Sequence, residues 1–176
     1  MSSKQNNKLT IKELALFAML GTLMFVSKLA FDILPNIHLL GVFTVAFTVV
    51  YRAKALIPIY TFAAILCFVY GLQPWCVSHL YTWALLWGAV ILLPKNMSPK
   101  VATVVYMIVN GLHGFLYGVL YIPVQLIFFG SKTESIWLWL LQGIPFDLTH
   151  GISNIVCGML IMPIILILKK AERFAR

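Results

Sequence analysis

The chain has 176 residues, 61% of them apolar and only 10% charged, with a formal net charge of +8 and a mean hydropathy of +0.95. Soluble domains carry about 45–50% apolar and about 25% charged residues, so the charges here are too few to cover a water-facing surface. Soluble, disordered and nucleic-acid-binding readings are set aside, as is a transmembrane β-barrel, whose short alternating strands are not matched by these continuous apolar runs; what remains is a polytopic α-helical membrane protein.

Reading between charges and turn residues gives six apolar runs, at residues 11–31, 37–51, 55–71, 77–93, 101–129 and 136–168. The last is too long for one crossing at about 1.5 Å per residue. Pro removes a backbone donor and disfavours helix in the residue before it. Gly143-Ile144-Pro145 is therefore the expected cut, giving a short surface helix at 136–141 and a span at 146–168. The polar links are short, which predicts antiparallel neighbours in one compact bundle. The expectation is a single all-α domain over residues 1–176: six transmembrane helices, a polar tail at 1–10 and a basic tail at 169–176.

Charge sets the orientation. One side of the membrane receives Lys4, Lys8, Lys12, Arg52, Lys54, Lys95, Lys100, Lys169, Lys170, Arg173 and Arg176, and the other receives Lys132, with Lys28 near that end of the first run. Cytoplasmic loops carry the excess of Lys and Arg, so both termini are expected in the cytoplasm. The basicity follows from topology and needs no nucleic acid. No cleavage signal stands out, so the first run reads as an uncleaved span. Cys67, Cys76 and Cys157 show no C-x-x-C spacing, and Cys67 and Cys157 read as core fillers.

Polar side chains inside a bilayer are costly, and each span is read for them. In the first, Lys28 and Asp32 stand at i, i+4, in the less favourable order for a helical ion pair. The Leu34-Pro35-Asn36-Ile37-His38 turn follows. In the fourth, His79, Trp83 and Trp87 repeat every four residues, with Trp75 just outside. In the fifth, Asn110, His113, Tyr117 and Tyr121 form one helical stripe continued by Gln125. This stripe fits a binding wall and an interhelical hydrogen-bond seam equally well. Gly114-x-x-x-Gly118 beside it reads as close helix packing. In the sixth, Asp147, His150 and Asn154 share one face; two metal ligands are too few for a closed site, and an Asp–His hydrogen bond is the simpler reading. These groups crowd the outer half of the membrane, and the inner halves are aliphatic. A polar path across the bilayer is not evident, which argues against a channel or a midplane-site transporter. An outward-facing pocket closed from below is expected.

The chain has no P-loop, no G-x-S-x-G and no H-E-x-x-H sequence, so it lacks these routes to ATP binding and hydrolysis. Six spans, basic tails, an outer pocket and no ATPase resemble the substrate-binding S component of an energy-coupling factor (ECF) vitamin transporter. The stretches that carry the resemblance are Lys12-Glu13-Leu14-Ala15-Leu16-Phe17-Ala18-Met19-Leu20-Gly21-Thr22, the Leu34-Pro35-Asn36 turn, the Tyr51-Arg52-Ala53-Lys54 turn and the broken approach to the sixth span. The resemblance covers the whole chain as architecture. It implies a bacterial plasma-membrane protein that binds a vitamin outside and topples to release it inside, with no catalytic residue and no cofactor of its own. It also implies a transmembrane coupling subunit, docked on small residues matched here by Ala15, Ala18 and Thr22, and two cytoplasmic ATPases that consume the ATP.

Depth and stripes then assign the site. Trp75, Trp83, Tyr117 and Tyr121 are expected to stack on a ring. Lys28, Asn36, His79, Gln125, Asp147 and His150 are expected to orient polar groups, over a floor of Asn110, His113 and Asn154. Lys28, as a cation near the mouth, favours a carboxylate or phosphate on the substrate. Two other readings stay open: an autonomous ion-coupled transporter or channel, with Asp147, His150 and His113 relaying protons, and an intramembrane enzyme using Asp147 and His150.

Overall fold

The structure, a computed structural model, describes residues 9–130 and 133–175. Lys4, Lys8, Lys132 and Arg176 of the charge argument lie outside the described residues. Among the described residues the chain is all helix, with no strand. Helix α1 covers Ile11–Phe31, α2 Leu40–Tyr51 and α3 Leu56–Tyr70. A 3-10 turn at Arg52–Ala55 joins the last two. Helices α4, Pro74–Ile91, and α5, Pro99–Phe115, follow. Two short helices come next, α6 at Tyr117–Leu120 and α7 at Ile122–Phe129. The chain ends in α8, Thr133–Gly158, and α9, Ile161–Ala175.

By length and apolar composition, Ile11–Ala30 and Leu40–Tyr70 can each cross a membrane, and Ile136–Gly158 with Ile161–Glu172, bent by 49°, makes a third. The Leu40–Tyr70 stretch is folded back on itself. Arg52 has φ 54° and ψ −122°, a left-handed conformation that costs a non-glycine residue about 1–3 kcal/mol unless its surroundings hold it. Here α4 holds it: Trp87 Nε1 donates to the Arg52 carbonyl at 3.0 Å, and the Arg52 guanidinium donates to the Ile91 carbonyl at 2.7 Å. The contacts at the two ends of α1 confirm the reversal. Phe17 meets Tyr51 edge to face and Glu13 takes Lys54 at 2.6 Å, whereas Asp32, just past the far end of α1, accepts from the Tyr70 hydroxyl. Thus α1 and α3 run in parallel, and α2 runs the other way between their ends.

Local chemistry fixes the helix starts. Thr10 and Glu13 form a reciprocal capping box on α1. Pro74 and Pro99 occupy first-turn positions of α4 and α5, where a missing N–H costs nothing. Helix α2 is buried on every side from Leu40 to Thr48, as expected of a central post apolar all round. The outer helices turn apolar stripes outward: Leu14, Leu23 and Val26 on α1, Val104, Ile108 and Leu112 on α5, and Leu148, Ile152 and Val156 on α8 are all exposed, while Asn110, Asn154, Thr44 and Thr82 are buried. Exposed apolar area of this extent marks a surface not meant for water.

Two expected boundaries are corrected. The last run is not cut at Gly143-Ile144-Pro145, because α8 passes through Pro145 unbroken. It breaks at Met159 and Leu160, and Pro163 supplies the reason: it has no N–H for the Met159 carbonyl four residues back, and its ring crowds that oxygen. The 101–129 run is not one helix either. It breaks at Leu116 and at Tyr121, where Pro123 withholds the bond to the Val119 carbonyl and Gly118 gives its N–H to a side chain of α8.

Helices α5 and α8 approach closely. A Cβ on Gly114 would lie 2.8 Å from the His150 carbonyl oxygen and 2.9 Å from Gly151 Cα, so only glycine permits this spacing. Across it, Asn110 and Asn154 each donate from Nδ2 to the other's backbone carbonyl, at 2.8 and 3.1 Å.

Candidate functional site

At the end of the bundle opposite Arg52 and Lys54, broken backbone holds the helices apart. The α1–α2 link dips inward: Asn36 takes a left-handed φ of 60°, which Asn tolerates better than most residues, and its carbonyl accepts from the Ser153 hydroxyl at 3.0 Å, part-way along α8. Helix α2 therefore starts below the rim, with His38 against Trp83 and His150. Asp147 on α8 accepts the Gly118 N–H with both oxygens, at 3.0 and 3.2 Å. The Tyr81 hydroxyl donates to the Leu120 carbonyl at 2.7 Å. These side chains satisfy backbone groups freed by the breaks, and irregular backbone is tolerated where it lines a cavity.

A cavity of about 600 Å³ results, walled by Asn36, Trp75, Tyr117, Gly118, Tyr121, Gln125, Phe129, Trp139, Gln142, Gly143, Phe146, Asp147 and His150. A second, of about 270 Å³, shares Asn36, Trp75, Tyr117 and His150 with it and extends to Lys28, Asp32, His38 and His79. The two adjoin along these four residues, and this chamber, taken as both cavities, has the size and aromatic character usual for small-molecule sites. Tyr121 and Trp139 stack nearly parallel, 5.4 Å apart and inclined by 21°, as a flat wall.

At the inner end of the chamber the chain's four histidines converge from the α1–α2 link and from α4, α5 and α8: His38, His79 and His150 reach its wall and His113 lies beneath. His38 and His150 rings meet at 4.6 Å, His113 lies 5.1 Å from Trp83, and His79 lies 5.8 Å from it. His79 Nδ1 donates to the Trp75 carbonyl at 2.7 Å, and His113 Nε2 donates to the Thr82 carbonyl at 3.0 Å. His38 Nδ1 and His150 Nε2 are buried without a protein partner among the described residues. No group of three or more His, Cys, Asp or Glu among the described residues is placed to hold a metal ion.

The expected site residues therefore divide. Asn36, Trp75, Tyr117, Tyr121, Gln125, Asp147 and His150 line the larger cavity, and Lys28 and His79 line the smaller. Trp83, Asn110, His113 and Asn154 are buried beneath and line neither. Asp147 and His150 are not hydrogen-bonded to each other; Asp147 serves Gly118. Lys28 is not a free cation: its ammonium sits 2.6 Å from Asp32 and over the Tyr70 and Trp75 rings at 5.3 and 5.4 Å. Ala15, Ala18 and Thr22 are exposed on the outer face of α1, with the Thr22 hydroxyl turned back to the Ala18 carbonyl at 2.9 Å.

Sequence reasoning missed His38, Trp139, Gln142 and Phe146. Trp139, Gln142, Phe146 and His150 stand at i, i+3, i+7 and i+11, one stripe of a continuous α8, and a cut placed at Pro145 hides it. Comparison with protein-family models, with curated proteins and with solved structures finds no match to this chain. The functional reading therefore rests on the chamber itself.

Proposed function

We propose that this chain is the substrate-binding S component of an ECF-type importer for a vitamin or similar micronutrient. It crosses the bacterial plasma membrane six times, through α1, α2, α3, α4, the broken α5–α7 segment and the bent α8–α9 pair, with both termini in the cytoplasm. The observation that carries the reading is the aromatic chamber at one end of a bundle whose other end holds a buried apolar core and bears the basic turns. A site open on one side only binds without conducting. Alternation of helix direction, read from the paired ends of α1, α2, α3 and α4, supports the crossing count, and the outward apolar stripes support lipid as the surrounding solvent. The excess of Lys and Arg at the Arg52 end supports its cytoplasmic side.

On this reading the chain does no chemistry on its substrate and binds no cofactor. ATP is consumed by two partner ATPases, and a transmembrane coupling subunit docks on the α1 face of Ala15, Ala18 and Thr22. Toppling releases the substrate inside.

The test is reconstitution. The purified chain in liposomes is expected to retain a small molecule identifiable by mass spectrometry, and to move none of it across the membrane under an imposed ion gradient. Uptake is expected only with the coupling subunit, the ATPases and ATP. Gradient-driven uptake by the chain alone would overturn the proposal in favour of an ion-coupled transporter.

A further inference from the structure

We infer that the chamber selects a flat aromatic molecule carrying one positive charge, with Asp147 as its counter-charge. The inference rests on the binding reading above and adds the chemical class of the ligand. Three formal charges line the two adjoining cavities among the described residues: Lys28, Asp32 and Asp147. The first two cancel at 2.6 Å. Asp147 has no cationic partner among the described residues; its one bond is to the uncharged Gly118 N–H. A carboxylate has about four lone-pair positions, so Asp147 keeps the capacity to accept from a ligand. The chamber as a whole carries an excess of one negative charge.

Its walls have the same sense. Aromatic faces are electron-rich and attract cations placed over them. Trp75 already does this for Lys28, at 5.4 Å, and Trp75 also lines the larger cavity. The nearly parallel Tyr121–Trp139 pair offers a flat surface to a planar ring. Gln125 and Gln142 supply uncharged donors and acceptors, which orient a ligand of either sign and select for neither. An anionic ligand would find no unpaired cation here among the described residues, and it would have to share the space with Asp147.

The experiment uses the full-length chain in detergent micelles and calorimetric titration with three probes of matched ring size: N-methylquinolinium, quinoline and quinoline-2-carboxylate. The cation is expected to bind at least tenfold more tightly than the carboxylate, with the neutral ring between them. Asp147→Asn keeps a carbonyl oxygen for the Gly118 N–H, so the fold is retained. It is expected to weaken the cation about tenfold while leaving quinoline within about twofold. Gln142→Lys, on an exposed lining residue away from that bond, is expected to weaken the cation and strengthen the carboxylate. A carboxylate that binds more tightly than the cation, or an Asp147→Asn variant with an unaltered cation-to-neutral ratio, overturns the charge assignment and leaves the binding reading standing. Failure of all three probes to bind overturns the ligand class, while the binding reading falls only if the purified chain also retains no small molecule.

Discussion

At the level of Phe17, Phe47 and Tyr51 the helices meet ring against ring, with Ile59, Leu86, Val90 and Ile165 filling the spaces between. At the level of Trp75 and Tyr117 the same helices stand apart around a chamber. Composition does not explain the difference, since both ends are rich in aromatic residues. Backbone continuity does. At the packed end α2, α4 and α5 are regular, and apolar side chains interdigitate at interior density. At the hollow end the chain breaks at Leu116 and Tyr121 and dips at Asn36. Each break frees backbone groups that must find partners, and Asp147, Tyr81 and Ser153 supply them. The cavity is a consequence of side chains employed in holding backbone open.

The border between the two regions runs through Trp83, which is fully buried amid His38, His79 and His113. Trp83→Ala is the largest expected effect. Emptying a fully buried Trp site typically costs about 3–5 kcal/mol, which for a chain of this size lowers Tm by about 6–20 °C. Thermal unfolding of the purified variant checks it. Unaltered stability with lost ligand binding would move the border downward and make Trp83 a wall of the chamber.

Next in size is the Asn110–Asn154 clasp. Each carboxamide serves the other helix's backbone, so each single alanine variant removes one bond and leaves one carbonyl unserved. Interhelical hydrogen bonds in membranes are worth about 0.6 kcal/mol on average and up to about 1.7 kcal/mol. Each single alanine variant is expected to lose stability in that range, and because each bond ends on backbone that the other variant keeps, the two losses are expected to add in the double variant, with substrate affinity nearly unmoved. A large loss of affinity in Asn154→Ala, at unaltered stability, would place the clasp in the site instead of beneath it.

How much of this was legible in the sequence differs between the two regions for the same reason. Helix α1 was read to the residue, because Thr10 before it and Asp32 after it bound an unbroken apolar run. The breaks were misplaced because a proline reports a lost N–H, not what replaces it. At Pro145 the helix continues, and the break about four turns later belongs to Pro163. The stripe Asn110, His113, Tyr117 gave the correct face of its helix. It gave no depth: Gly41 of α2 and Asn154 of α8 close over Asn110, so Tyr117 lines the chamber and Asn110 does not. His38 itself reads as a loop residue, and only the inward dip brings it to His150.

The smallest expected effect is also the sharpest test of the hollow end. Lys28 reads in the sequence as a cation offered to an anionic substrate, and in the structure it is already engaged by Asp32, Tyr70 and Trp75. A partly exposed i, i+4 pair in the less favourable order contributes about 1 kcal/mol or less, so Lys28→Met is expected to shift Tm by no more than a few degrees. Its effect on binding depends on the charge of the ligand. Removing the ammonium frees Asp32 and adds one uncompensated negative charge to the smaller cavity, which shares Trp75 and Asn36 with the larger. A cationic ligand then gains affinity at low salt, and the gain shrinks as salt screens the exposed Asp32 carboxylate. An anionic ligand loses affinity in the same variant. The sign of that change, measured at two salt concentrations, separates a lysine that holds the chamber's wall in place from one that holds the substrate.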